Sequence, residues 1–390
     1  MEIINQKRSK PIILCFSSFY LPGFKSGGLV RSITNFVESL SDEFDIRIIC
    51  RNKDIDGKPY SNIRINSWNL VGKAKVFYAS DKTLSISSIT KLIRNTPHNV
   101  LYLNSIFSFR FSIIPLLVKF FYCRSSQPCV ISPRGELSQG ALELKKYKKI
   151  FYIVIAKYLG LHRNLFWLAS SKNESMDIYR SFKKIEKKIK IIPDCFEFNP
   201  VSNKSISQKR LGTLRIIFLS RISPMKNLDY LLQILCKVSE PLELDIYGPI
   251  EDRGYWKKCQ RLINILPPHI KVNIEGEISS KDVQSTFLKY DLFAFPTKGE
   301  NFGHVILESL SASTPVLVSN HTLWKSDKLS GIKAIPLIED FWVREIESWT
   351  KLTTLELSKR RKAALIRANY FISRIKNSSR SYKKFFFKII

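Results

Sequence analysis

Short apolar runs alternate with stretches of helical period along almost the whole chain. The runs at 12–16, 45–50, 75–78, 100–104, 129–132, 166–169 and 189–192 read as buried strands, and 29–40, 83–94 and 142–158 read as helices. Residues 197–210 break the rhythm: they are polar, rich in Ser, Asn and Lys, and carry a proline, as a linker does. The pattern restarts at Leu214 with RIIFLSR, followed by a helix expected at 228–238 and strands at 242–247, 270–275, 292–295, 315–319 and 332–336. From 340 onward the chain is helical and charged. Strand–helix alternation of this kind predicts α/β layers on parallel sheets. With 390 residues, two doubly wound domains follow. We place them at 1–200 and 201–372, with a basic C-terminal helix at 373–390 as a candidate for return onto the first domain.

The most informative segment is 293–320, FAFPTKGENFGHVILESLSASTPVLVSN. A buried strand ends at Pro296, a helix begins near Asn301-Phe302-Gly303, and Glu300 and Glu308 flank that start. A glycine at a helix N-terminus can hold an anionic phosphate on backbone N–H groups. Glu308 could then accept hydrogen bonds from a ribose diol while Glu300 faces a sugar. On residue types alone, two solvated acids favoured by the helix dipole remain the alternative.

Three further segments carry candidate chemistry. Gly27-Gly28 follows the first strand and opens a helix, so a ligand could approach the backbone closely; a plain tight turn is the alternative. Arg221 and Lys226 follow the first strand of the second half and could together neutralise a diphosphate. Arg134, in ISPRGEL, could touch phosphate or an acceptor, or be an exposed salt-bridging arginine.

The 293–320 block resembles the EX7E region of family 4 retaining glycosyltransferases (GT4), down to the Pro296 to Glu300 lead-in, the Glu-Asn-Phe-Gly run and Thr314-Pro315-Val316. Ser220 to Asn227 resembles that family's Gly-Arg-x-x-x-x-Lys-Gly donor-phosphate motif, with Ser220 and Asn227 in place of the glycines. Ser313 likewise stands where the family has glycine before Thr-Pro, and Tyr247-Gly248-Pro249 is similar to the strand-end element bordering the nucleotide base. The resemblance implies the GT-B fold: two Rossmann-like, doubly wound parallel-sheet domains facing across a cleft. It implies a nucleotide-sugar donor held by Gly27, Gly28, Gly248, Asn301, Phe302, Gly303 and Glu308, with Glu300, Arg221 and Lys226 in the chemistry and no metal or cofactor. Some bacterial polysaccharide transferases carry Ser-Pro-Arg-Gly where Arg134 lies.

Charge and cysteines narrow the setting. The net charge is +30, from 63 basic and 33 acidic residues. Lys145, Lys146, Lys148 and Lys149 precede Ile150-Phe151-Tyr152, a basic aromatic helix suited to an anionic bilayer or simply a solvated face. Nucleic acid ranks lower, because no RNA- or DNA-binding signature appears. Seven cysteines without CxxC spacing read as thiols of a reducing compartment, and five scattered histidines make no metal set; His304, beside Gly303, could approach the donor or be an exposed helix residue. No signal peptide or membrane-length apolar run is apparent. The expectation is therefore a cytoplasmic hexosyltransferase, peripheral at the inner membrane face. It would act on a lipid-linked or polysaccharide acceptor in O-antigen, capsule or exopolysaccharide biosynthesis. A nucleotide-sugar epimerase on the same fold, or a non-catalytic basic membrane-binding protein, are the alternatives.

Overall fold

A computed structural model of the protein describes residues 9–123, 127–143, 145–183, 188–196, 213–279, 281–328 and 331–390. The chain forms two compact units. Unit 1 comprises Met1–Gly23, Ser32–Cys195 and Asn377–Ile390; unit 2 comprises Phe24–Arg31 and Phe196–Lys376.

Unit 1 is built on β1 (Ile12–Phe16), β2 (Asp45–Arg51), β3 (Trp68–Val71), β4 (Ala74–Ala79), β5 (Val100–Leu103), β6 (Cys129–Ile131), β7 (Leu165–Ala169) and β8 (Ile189–Ile191). The spatial order is β3-β4-β2-β1-β5-β6-β7-β8, and every pair is parallel except β3 with β4. Apolar side chains of β1, β2 and β5 are buried on both faces of the sheet, which is why these strands read as continuous hydrophobic runs. β3 was not legible in the sequence: an antiparallel edge strand, it exposes Leu70 and has no continuous apolar run. The helix expected at 142–158 is two helices, Gln139–Glu143 and Lys146–Tyr158, separated where Lys145 adopts a left-handed conformation (φ 58°). The C-terminal helix Ser378–Ile389 belongs to this unit. Its Tyr382 and Phe386 pack on Phe36, Phe386 also meets Tyr102, and Ser379 Oγ donates to Ser39 O at 3.0 Å.

Unit 2 carries β9 (Leu214–Leu219), β10 (Leu242–Tyr247), β11 (Ile270–Gly276), β12 (Leu292–Phe295), β13 (Val316–Ser319) and β14 (Ile332–Ile335), all parallel in the order β11-β10-β9-β12-β13-β14. The order reverses between β9 and β12, the switch point at which doubly wound sheets bind ligands beyond the strand carboxyl ends. Helix Thr354–Ile375 begins with a capping box between Thr353 and Glu356 and is anchored by buried Arg361, which donates to Tyr290 O at 2.6 Å and pairs with Asp291 at 3.3 Å. Gly331 lets the chain pass this helix, for a Cβ there would lie 2.5 Å from Ala363 C.

The unit boundaries lie at Cys195/Phe196 and Lys376/Asn377, not at 200/201 and 372/373. The helix running to Ile375 keeps the later residues with unit 2, and segment 197–210, read as the linker, lies outside the described residues.

Candidate active site

The loop after β9 is stitched to the loop after β10. Ser220 N donates to Tyr247 O at 3.1 Å, and Ile222 N to Pro249 O at 2.8 Å. Gly248 makes this closeness feasible: at φ +134°, a Cβ there would sit 1.8 Å from Ser220 O. Arg221 is thereby set beside Glu251, their side chains 2.9 Å apart and both partly exposed. Glu251 drew no attention in the sequence, since nothing in its spacing marks it.

The same loop is fastened to the one leaving β12. Asn227 Nδ2 donates to Pro296 O at 2.9 Å, and Lys298 N to Met225 O at 2.9 Å. Asn227 has φ 63° and Ser313 has φ 59°. Both stand where the resembled family has glycine, and both need the left-handed conformation that glycine adopts most easily; asparagine tolerates it better than most residues. Ser220, by contrast, has no positive φ and needs no glycine.

These ties bring Lys226 to Glu300, Nζ to Oε1 at 2.5 Å, with side chains 9% and 18% exposed. Little solvent reaches such a pair, so each group fixes the other's position. Lys226 Nζ also lies 5.7 Å from the Phe295 ring centroid.

Gly303 caps helix His304–Ser311 at φ +76°. Its position is set by Trp324, whose Nε1 donates to Phe302 O at 2.9 Å. His304 is buried, with its ring 4.5 Å from that of Phe302 and stacked on Phe196, and is not the exposed residue expected. Glu308 is 4% exposed and ion-paired with Arg31, in the Phe24–Arg31 segment of the same unit. Arg31 was missed in the sequence; burial lowers its pKa to about 10. In that segment Gly27 has φ +58° with open space where a Cβ would be, and Gly28 faces His304, whose Cδ2 is 3.8 Å from its Cβ position. The structure thus joins Lys226 to Glu300 and Arg31 to Glu308 beside the β9/β12 switch, next to the positive end of a helix dipole. The arrangement can hold an anion against cationic side chains, with two carboxylates able to accept hydrogen bonds from hydroxyl groups.

Arg134 answers neither expectation for it. It is an interior residue of unit 1, left-handed at φ 56°, with side chain 4% exposed. Nε donates to Asn104 Oδ1 at 2.7 Å, Nη2 to Tyr102 Oη at 2.8 Å, and Nη1 is paired with buried Asp194. Burial works against its charge, but the Asp194 carboxylate and its neighbours hold its pKa above the ordinary value. The rest of the motif is equally internal: Gly135 N donates to Glu174 at 2.6 Å, and Glu136 accepts from Ile106 N at 2.8 Å and Phe107 N at 3.1 Å.

Both units therefore define the GT-B class of fold. HepE of Anabaena, solved with UDP and glucose, superposes with a TM-score of 0.72 over 98% of this chain and 100% of its own, at 16% identity. Residues 202–325 match the family "Glycosyl transferases group 1". Among curated proteins, an uncharacterised glycosyltransferase of Methanocaldococcus jannaschii is 26% identical over 42% of this chain and 44% of its own length. An uncharacterised 41.2 kDa protein from a Klebsiella pneumoniae cps region is 24% identical over 75% of this chain and 78% of its own. A Campylobacter jejuni enzyme that adds N-acetylgalactosamine to a diphospho-undecaprenol-linked sugar is 24% identical over 40% of this chain and 41% of its own. The chain thus spans less than half the length of two of these three relatives.

Proposed function

We propose that the protein is a retaining glycosyltransferase of cell-surface polysaccharide assembly, moving a hexose from a nucleoside diphosphate sugar to a lipid-linked or polysaccharide acceptor. The observation that carries this reading is the Lys226–Glu300 pair at the β9/β12 switch, flanked by Arg221 and by the helix that Gly303 opens. The Klebsiella and Campylobacter relatives support the setting, and HepE with UDP and glucose supports the donor class.

The acceptor hydroxyl oxygen forms a bond to the sugar's C1 as the C1–O bond to the β-phosphate breaks, and the hydroxyl proton passes to the departing diphosphate. Charge builds on the β-phosphate, and Arg221 and Lys226 stabilise it. Glu300 holds Lys226 in place, and its second oxygen addresses sugar hydroxyls. Glu308 takes the ribose diol, exchanging Arg31 for it. Gly27, Gly28, Gly248, Asn301 and Phe302 shape the space around the donor. Departure and attack on one face retain the anomeric configuration, and neither metal nor cofactor is required.

Helix Lys146–Tyr158 exposes Tyr147, Phe151, Val154 and Tyr158 beside Lys146, Lys148 and Lys157, which supports peripheral binding to an anionic inner membrane face. No helix among the described residues is long and apolar enough to cross a membrane.

Incubation with a panel of UDP-, GDP- and ADP-sugars, followed by proton NMR of the anomeric signal, tests the reading. Nucleoside diphosphate release with a product of the donor's own anomeric configuration supports it. Inversion refutes the retaining mechanism, and sugar-nucleotide conversion without any acceptor favours an epimerase instead.

A further inference from the structure

A second charged cluster lies at the carboxyl ends of unit 1's strands. Arg51 ends β2 and Lys53 follows it; Asp81 opens the 3-10 turn Asp81–Leu84 after β4; Arg110 sits in the π-helical turn Phe109–Ile113 after β5. These segments come from both sides of β1, where the sheet order turns from β2 to β5, the place at which such sheets bind ligands.

Asp81 is shared between two cations: Oδ2 accepts from Lys53 Nζ at 2.6 Å, and Oδ1 is paired with Arg110 Nη1. Arg51 is held between aromatic rings, its guanidinium carbon 5.4 Å from the Phe19 centroid and 5.6 Å from that of Phe111. Its Nε is buried and has no hydrogen-bond partner among the described residues. Three cations therefore face one carboxylate. Burial first, and then the charge of Arg110, push the Arg51 pKa down, and Asp81 offsets this in part. Holding like charges together costs free energy, which an entering anion would relieve. The cluster is open to solvent, with the Lys53, Arg110 and Asp81 side chains 31%, 39% and 53% exposed. Two planar guanidinium forks and an ammonium match the geometry of phosphate oxygens.

We propose that Arg51, Lys53 and Arg110 form an anion subsite in unit 1 that takes the phosphate or diphosphate group of the sugar acceptor, with Asp81 holding the cations in its absence. That the anion belongs to an acceptor rests on the transferase reading above; the anion subsite itself does not.

Calorimetric titration of the full-length protein in magnesium-free buffer tests this with two isotherms, UDP alone and inorganic pyrophosphate in the presence of excess UDP. The R51Q/R110Q variant should weaken the pyrophosphate isotherm by roughly tenfold or more and leave UDP within about twofold. D81N should tighten pyrophosphate by roughly threefold, a change of sign that a merely structural cluster would not give. K53Q, at a partly exposed position, serves as a second weakening variant should the double variant fail to fold. A wild type that binds no pyrophosphate beside UDP, an unchanged isotherm in R51Q/R110Q and K53Q, or a parallel loss of UDP binding overturns the proposal. An absent UDP isotherm with intact, Arg51-dependent pyrophosphate binding would instead remove the uridine donor and leave the subsite standing. Geranyl diphosphate as a third probe separates the sources: tighter binding than pyrophosphate assigns a lipid-linked anion, and equal binding a free one.

Discussion

Replacing Arg134 by methionine removes a cation paired with buried Asp194 while keeping an unbranched side chain of comparable length. The pair is 4% and 2% exposed, so solvent cannot take over the lost charge. Ser32 Oγ would remain a donor to Asp194 Oδ2 at 2.7 Å, but Tyr102 Oη and Asn104 Oδ1 would each lose a donor. Breaking a buried pair from one side costs about 3–5 kcal/mol. The left-handed backbone at this position is strained for both residues and cancels in the comparison. For a unit of this size, that cost lowers the melting temperature by roughly 6–20 °C. Scanning calorimetry of wild type, Arg134→Met, Asp194→Asn and the double variant measures it. The double variant should recover part of the loss, with a coupling of roughly 1–3 kcal/mol. A single variant that melts within about 2 °C of wild type, or losses that simply add, would refute the assignment of Arg134 as a structural cation.

Other expectations follow from the same geometry. Lys226→Ala should lower kcat/KM by roughly a hundredfold or more, as removal of a charge-stabilising donor does elsewhere, measured by nucleoside diphosphate release. Gly303→Ala forces a Cβ to 3.0 Å from both Ile306 Cδ1 and Trp324 Nε1 at φ +76°, and should cost about 1–3 kcal/mol in denaturant unfolding. Burial pushes His162, packed against Trp167 and Phe182, from 6.5 down to about 3. Its contribution to stability is therefore complete above about pH 6.5 and declines as pH falls toward 3, because the unfolded chain takes up the proton there. His162→Phe should flatten the stability profile across that window, read by urea unfolding at several pH values. Serine at Tyr147, Phe151 and Tyr158 should reduce sedimentation with phosphatidylglycerol vesicles several-fold and leave donor turnover in solution unchanged.

Most strand positions could be read from the chain because parallel strands buried on both faces form unbroken apolar runs, as at β1, β9 and β12. β3 escaped because an edge strand needs no such run, and the helix break at Lys145 because lysine gives no hint of a left-handed backbone. Arg221, Lys226, Glu300 and Glu308 stand out as candidates by spacing and resemblance. Their partners Glu251 and Arg31 were not, since each is supplied by a separate loop and becomes a partner only through the folding of the chain. Arg134 shows the opposite failure. A charged residue after a strand invites a ligand in sequence, yet here Asp194, 60 positions along the chain, encloses it. The glycines missing at 227 and 313 proved informative, because the backbone there keeps the glycine-like conformation without the glycine.

Saturation-transfer NMR with UDP-, GDP- and ADP-sugars on the wild type and Lys226→Ala tests the donor site most directly. The account predicts transfer to the protons of at least one nucleoside diphosphate sugar, lost or strongly reduced in the variant. No transfer from any of the sugars, or equal transfer in both proteins, would contradict it.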